Sequence, residues 1–181
     1  MQTKSRGRQR GLTLIELMVG MLITAIVLVI GVPSLYNLYM TTRMANAANS
    51  VLAHLQSARM EAVTRNMRVT VCPSADGDTC GAGQTDEGEW DWSQGYIVAT
   101  QDDGGNLLEV LRRVDAEELA GLDIDSCGRT RFVFRSDGSA TGTNGRVRII
   151  DPGDSDTFRI ITVNAVGRAY VAGEGTDPAC P

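Results

Sequence analysis

Hydrophobic and polar positions fall into three regimes along the chain. Residues 1–10 are polar and basic. Residues 17–42 carry no charged side chain, a run longer than the ~20 residues an apolar helix needs to cross a bilayer. Beyond it the apolar positions thin to a stripe. Met44, Ala48, Val51, Leu55, Ala58 and Ala62 recur at three- and four-residue steps, with Arg43, Asn46, Gln56 and Arg59 between them. That spacing predicts an amphipathic helix. One helix from about residue 13 to about residue 66 is expected, roughly 80 Å long at 1.5 Å per residue, with its second half packed on the remainder of the chain.

From Arg68 onward the pattern turns from helical to extended. Candidate strands are 68–72, 95–100, 107–113, 131–135, 146–150, 157–163 and 169–172. Two of them alternate as half-buried strands do, Arg131-Phe132-Val133-Phe134-Arg135 and Arg146-Val147-Arg148-Ile149-Ile150. Their arginines are therefore expected to share a solvent face. Asp102-Asp103-Gly104-Gly105-Asn106, Ser136-Asp137-Gly138 and Pro152-Gly153-Asp154 read as the turns between strands. The predicted class is α+β, a long N-terminal helix packed on an antiparallel β-sheet head.

Charge changes the picture at the N-terminus. Lys4, Arg6, Arg8 and Arg10 precede the apolar run, which by the positive-inside rule keeps that end cytoplasmic and places the chain beyond the run on the far side of the membrane. Gly11, the small residue at which a peptidase could act, stands before the apolar run, whereas a secretory signal is cut after it. Cleavage there would remove the leader and keep the helix. Glu16 is then an anomaly, because a carboxylate inside an apolar segment is costly without a partner. A new α-amine on Leu12 of a neighbouring subunit would provide one.

These residues carry a resemblance. Gly11 to Met18, GLTLIELM, resembles the processing motif of type IV pilins and pseudopilins, with Leu12 where the family usually has Phe. The resemblance implies cleavage after Gly11, N-methylation of Leu12 by a prepilin peptidase, a role for Glu16 in subunit docking, and Pro33 as the helix-kinking proline. It implies the type IV pilin fold. SARMEAVTRNMRVTVCP from Ser57 to Pro73, Trp92 with Gly95-Tyr96-Ile97-Val98, and Val166-Gly167-Arg168 are similar to the GspH/FimT branch. That branch includes FimU-like minor pilins that prime type IV pili, type II secretion pseudopilins, and FimT-like proteins that bind DNA for natural transformation. The expected organisation is a prepilin leader over 1–11, a transmembrane and filament-core helix over 12–40, its amphipathic continuation over 41–67, and a periplasmic head over 68–181. The expected location is the bacterial inner membrane, single-pass, and then a pilus tip or pseudopilus.

The four cysteines are Cys72, Cys80, Cys127 and Cys180. None forms a CxxC pair and His54 is the only histidine, which disfavours zinc and favours two disulfides in an oxidising compartment. Of the three pairings four cysteines allow, Cys72 with Cys80 and Cys127 with Cys180 is preferred. His54 reads as a surface or packing residue. No nucleophile–base arrangement, phosphate loop or metalloprotease motif is present in the sequence, so the expectation is no enzyme, no cofactor, no metal and no small-molecule substrate. Asp76-Gly77-Asp78 and the aspartates of 151–156 do not fit calcium-loop spacing and read as solvated turns.

Charge is also divided within the head. Residues 76–125 hold 14 acidic side chains against Arg112 and Arg113, whereas 129–168 hold seven arginines against four aspartates. Arg146, Arg148, Arg159 and Arg168, with Tyr170, are the candidate contacts for DNA phosphates or for an acidic partner. FimT-like receptors usually place a second basic residue where this chain has Tyr170, which can stack on a base but cannot neutralise a phosphate. The expected function is a type IV minor pilin that joins other minor and major pilins to start assembly at the tip. The alternatives are a DNA-binding minor pilin and a type II secretion pseudopilin.

Overall fold

The computed structural model describes residues 13–81, 90–119, 121–127, 129–142 and 145–173, the side chains of 33, 154–156 and 173 aside. The chain divides into two compact units, Met1–Met40 and Thr41–Pro181. Helix α1, Leu14–Arg65, supplies the first unit's described residues and the start of the second.

In the first unit α1 presents apolar side chains on every side, with Glu16 its one charged residue. Leu14, Ile15, Met21, Leu28, Ile30 and Leu38 are all exposed. Thr13 caps the helix, its Oγ1 accepting the backbone N–H of Glu16 at 3.3 Å.

The second unit holds two antiparallel sheets. Strands β1 (Arg68–Pro73), β2 (Trp90–Asp91), β3 (Gly95–Gln101) and β4 (Leu107–Asp115) precede a single helical turn, α2 (Ala116–Leu119). Strands β5 (Asp123–Cys127), β6 (Phe132–Phe134), β7 (Gly145–Asp151), β8 (Asp154–Val163) and β9 (Ala169–Gly173) follow. One sheet runs β4-β3-β1-β6 and the other β2-β5-β7-β8-β9. The predicted single sheet is thus two: β1 pairs with β3 and β6 inside the first, and among the described residues no strand of that sheet pairs with one of the second.

The helical stripe lies where its spacing puts it. Met44, Ala48, Val51, Leu55, Ala58 and Ala62 are all buried, in one core with Val69 and Val71 of β1, Val98 of β3, and Val147, Ile149 and Ile161 of β7 and β8. Both sheets therefore close over the same face of α1. Strand β3 is buried along its whole length. Its opposite face, Ile97 and Ala99, forms a second small cluster with Cys72, covered by Cys80, Leu107 and Val110.

Two strands escape the sequence reading. Strand β5 reads as a loop because Asp123 and Asp125 disfavour strands; the register places Asp125 opposite Arg148, which neutralises it. Strand β2 is two residues at a sheet edge. The arginines at 131 and 135 also depart from expectation. They flank β6 rather than alternate within it, and Phe132, Val133 and Phe134 are all buried. The three turns form as expected. Asp102 accepts from the Asn106 backbone at 2.8 Å, Asp137 from the Ser139 backbone at 2.8 Å, and Asp151 from the Gly153 backbone at 2.8 Å.

Candidate functional site

The α1 residues of the first unit provide one candidate surface. Among the described residues α1 is the one helix long and apolar enough to cross a membrane. Glu16 sits in its first turn and is exposed, the only charged side chain between Leu14 and Thr42. The helix N-terminus favours a carboxylate there, but the surroundings are Leu14, Ile15, Leu17 and Met18, all exposed and apolar. Gly11 and Leu12 lie outside the described residues, and Pro33 lies within α1.

The head candidates separate. Arg148 is not on a free face. It is 6% exposed, and its Nε and Nη2 each donate to one oxygen of Asp125 at 2.8 Å. This is a two-pronged buried ion pair across β5 and β7, with the side chains 7% and 11% exposed. Alternation alone could not reveal it, because the partner lies on a strand the sequence hid. Arg146 shares that face of β7 and is exposed. Arg159 stands opposite the core residue Ile149 and is partly buried, so strand parity turns it to the other side of the sheet. The arginines of β7 and β8 thus do not make one cationic plane.

Arg168 and Tyr170 do come together. They line a groove of about 610 Å³ between α1 and the β8–β9 connection. Its floor on the helix side is Leu52, Gln56 and Met60, at four-residue steps, with Arg59 beside them, and Val171 continues the other wall. Met60 is 66% exposed and Tyr170 41%. Arg168 is exposed, and its backbone N–H donates to Asn164 Oδ1 at 2.8 Å within the turn.

Other polar residues turn out to be structural. Arg59 donates from Nε to the carbonyl of Gly138 at 2.8 Å. His54 is 8% exposed, and its Nδ1 lies 2.7 Å from the Tyr96 hydroxyl. Burial, helped by the positive charge of Arg112, lowers the imidazole pKa, while burial raises that of the Tyr96 phenol. Trp92 packs against Tyr96 and Phe132 with its ring tilted to both, centroids at 5.6 and 5.9 Å, and donates to Ser126 Oγ at 2.9 Å. Sequence reasoning gave no signal for Arg59, Asp125 or Ser126, since each acts on a backbone or partner distant in the chain.

Cys72 and Cys80 are joined, with Cα atoms 5.5 Å apart. Within the loop they close, Asp76 accepts hydrogen bonds from Ser74, from the Asp78 and Thr79 backbone, and from the Thr79 hydroxyl. Those bonds, led by the Thr79 hydroxyl, hold its carboxyl far below the usual range. Cys127 is also disulfide-bonded, and Cys180, its expected partner, lies outside the described residues.

Comparison with known proteins places this architecture. A family model described as type II transport protein GspH matches residues 47–167. A second, the prokaryotic N-terminal methylation motif, matches residues 6–32. The crystal structure of the type IV minor pilin FimU of Pseudomonas aeruginosa strain PAO1 is similar in fold. In one crystal form it is 21% identical with a TM-score of 0.60, over 78% of this chain and 98% of that one. The minor pseudopilin EpsH from the type 2 secretion system of Vibrio cholerae is 14% identical with a TM-score of 0.51, over 72% of this chain and 97% of that one. No curated protein sequence matches the chain.

Proposed function

The chain belongs to the family of the type II transport protein GspH, and from that premise we propose that it is a minor pilin of a type IV pilus. It works by assembly rather than catalysis. A prepilin peptidase cuts after Gly11 and methylates Leu12. The apolar half of α1 holds the subunit in the inner membrane, with the head in the periplasm, until it is drawn into the filament. There it joins other minor pilins at the tip and starts assembly.

One observation carries this reading. The exposed apolar half of α1 bears a single carboxylate, Glu16, inside the segment that matches the methylation motif. Neither a bilayer nor a filament core tolerates that charge alone. A neighbour's free amine at Leu12 would satisfy it, so the cost of the lone charge becomes a preference for a subunit processed in the same way. The pilus is put before the secretion system because FimU, a type IV minor pilin, has the higher TM-score of the two kinds of neighbour. DNA binding comes after both, because Arg148 is committed to Asp125.

Two measurements test the proposal. Intact mass of the protein recovered from membranes should show a chain that begins at Leu12 and carries one methyl group; a retained leader overturns the reading. Deletion in the native host should remove pili and leave secreted proteins unchanged. Loss of secretion with pili intact would assign the chain to the secretion machine instead.

A further inference from the structure

Cys127 is buried without belonging to the core. It is 6% exposed, yet it joins neither of the two apolar clusters of the head. On β5, Ile124 faces the core on α1, so strand alternation turns Asp125 and Cys127 to the opposite, outer face of the sheet. The pairing carries that face across to the sheet edge. Cys127 stands opposite Arg146, Arg146 opposite Thr162, and Thr162 opposite Tyr170. In the adjacent row Asp125 stands opposite Arg148, Arg148 opposite Ile160, and Ile160 opposite Gly173. A sheet face open to water leaves such side chains wet. Here Arg148 and Thr162 are each 6% exposed and Asp125 8%. The sheet spends its inner face on α1, so the cover over the outer one comes from elsewhere.

The cysteines say what that cover is. Cys72 and Cys80 hold each other, Cys127 is disulfide-bonded, and the one other cysteine of the sequence is Cys180. Strand β9 ends at Gly173, in the row of Arg148 and Asp125. Cys127 is three strands across from that point and two residues along. At strand spacings of about 4.8 Å and a rise of about 3.4 Å per residue, the two are about 16 Å apart. The steps from Gly173 to Cys180 number seven, and a chain of that length spans at most about 25 Å when extended. A link so short has to run directly over β8 and β7. With α1 filling the inner side, the route left is over the outer face. Charge agrees with that route. The segment carries Glu174 and Asp177 and no basic residue, and Arg146, exposed on the same face, stands beside its point of attachment.

We infer that residues 174–180 form a strap across the outer face of the β2-β5-β7-β8-β9 sheet, tied to β5 by a Cys127–Cys180 disulfide. The strap shields the Arg148–Asp125 pair from water and lies over Ile160 and Thr162. Its closing step is thiol–disulfide exchange. The Cys127 and Cys180 thiols give up two protons and two electrons to the disulfide of an oxidant in an oxidising compartment, and that disulfide leaves as two thiols. The strap fastens the edge hairpin of β8 and β9 to β5, a strand neither of them pairs with. It also brings acidic side chains to the one open arginine of β7, which lowers the attraction of that face for phosphate groups.

The test uses the full chain recovered from membranes of its native host, with free thiols blocked before lysis. Peptide mapping without reductant should show Cys127 joined to Cys180 within one chain. A dimer linked through either residue, or a free Cys180, overturns the inference. A photo-crosslinking benzoylphenylalanine at Ile160, and separately at the exposed Arg146, should react on illumination with residues 174–180 of the same chain. Cys127→Ser with Cys180→Ser should cut those adducts about tenfold, because loss of the tie lowers the effective concentration of the strap at the sheet. The Arg146 probe stands on the surface, so its result holds even where the Ile160 probe disturbs the fold. The strap is refuted if the Arg146 probe reacts only with another subunit, with lipid or with the sheet itself, or if the double serine variant crosslinks as well as the wild type.

Discussion

Arg59, on helix α1, donates its Nε hydrogen to the main-chain carbonyl of Gly138 at 2.8 Å, and so ties the helix to the turn after β6. Gly167, in the β8–β9 turn, lies against the same junction. A Cβ placed on Gly167 would stand 2.0 Å from the Gly138 oxygen and 3.2 Å from Arg59 Nε. Helix, turn and hairpin thus meet at a point with no room for a methyl group.

Gly167→Ala is therefore expected to destabilise the protein well beyond a surface substitution. The backbone there has φ of +78°, which alone costs an L-residue about 1–2 kcal/mol, and the clash adds to it. Denaturant unfolding of the full chain in detergent, followed by tryptophan fluorescence, should show a loss of at least about 2 kcal/mol. An unchanged midpoint would mean the turn moves freely.

The Arg148–Asp125 pair predicts an asymmetry. Removing either partner leaves a buried charge without its counterpart and should cost about 3–5 kcal/mol. Arg148→Met with Asp125→Leu should recover much of that loss. The same argument applies to tests of DNA binding: a defect in Arg148→Ala would report damage to the sheet, whereas Arg146→Ala and Arg168→Ala alter exposed side chains. Equal stability of Arg148→Ala and wild type would refute the pair.

His54 sets a pH dependence with a definite sign. Its pKa is lower in the fold, through burial and then Arg112, so the unfolded chain binds the proton more readily. Stability from this group is full above the unfolded pKa of about 6.5 and is lost as pH falls below it toward the folded value. Unfolding of the wild type should ease between about pH 7.5 and 5.5, relative to His54→Gln, which keeps a polar group near Tyr96 and does not titrate. Parallel slopes for the two proteins would contradict the assignment.

The Cys72–Cys80 bridge closes a short loop, with a sequence separation of 8. Loop-closure entropy for that size predicts a contribution of about 2.5 kcal/mol. Cys72 is also 1% exposed and packs on Ile97 and Ala99. Cys72→Ala with Cys80→Ala should lower stability by about that amount, measured by the same unfolding curves, and reductant should have a similar effect on the wild type.

Glu16 separates insertion from assembly. Glu16→Ala makes the apolar half of α1 more apolar, so the subunit should remain in the membrane fraction. Its recovery in sheared pili should fall by about tenfold or more if a buried charge pair is lost. Normal recovery would remove the pairing role.

The sequence disclosed whatever is periodic and local. The stripe from Met44 to Ala62 could be read because each turn of a helix repeats the same demand on its residues, and the Asp-Gly turns because their chemistry is contained in a few adjacent positions. It concealed whatever depends on partners far apart. Strand β5 carries only one aliphatic residue, Ile124, and becomes a strand because Arg148 lies opposite Asp125. For the same reason Arg148 looked like a solvent-facing cation in its alternating strand. The groove of Arg168 and Tyr170 was legible only as two residues near each other; its other wall, Leu52 to Met60, comes from the far end of the domain's sequence.

The crossing of β1 between β3 and β6 governs the order in which the domain can fold. Strand β1 follows α1 directly, yet its second neighbour, with Val69 opposite Phe134, is made only in the middle of the head, and the cluster on α1 also needs Ile161 and Val163 of β8 and Ala169 of β9. Strands β1 and β3 can cover only part of the helix as the chain emerges. The cover over its apolar stripe is complete only when nearly all of the head is available, and contacts between such distant segments form slowly. The interval between the emergence of α1 and the arrival of β8 is when this chain is most exposed to aggregation, and the rate of synthesis or translocation, rather than any local propensity, sets its length.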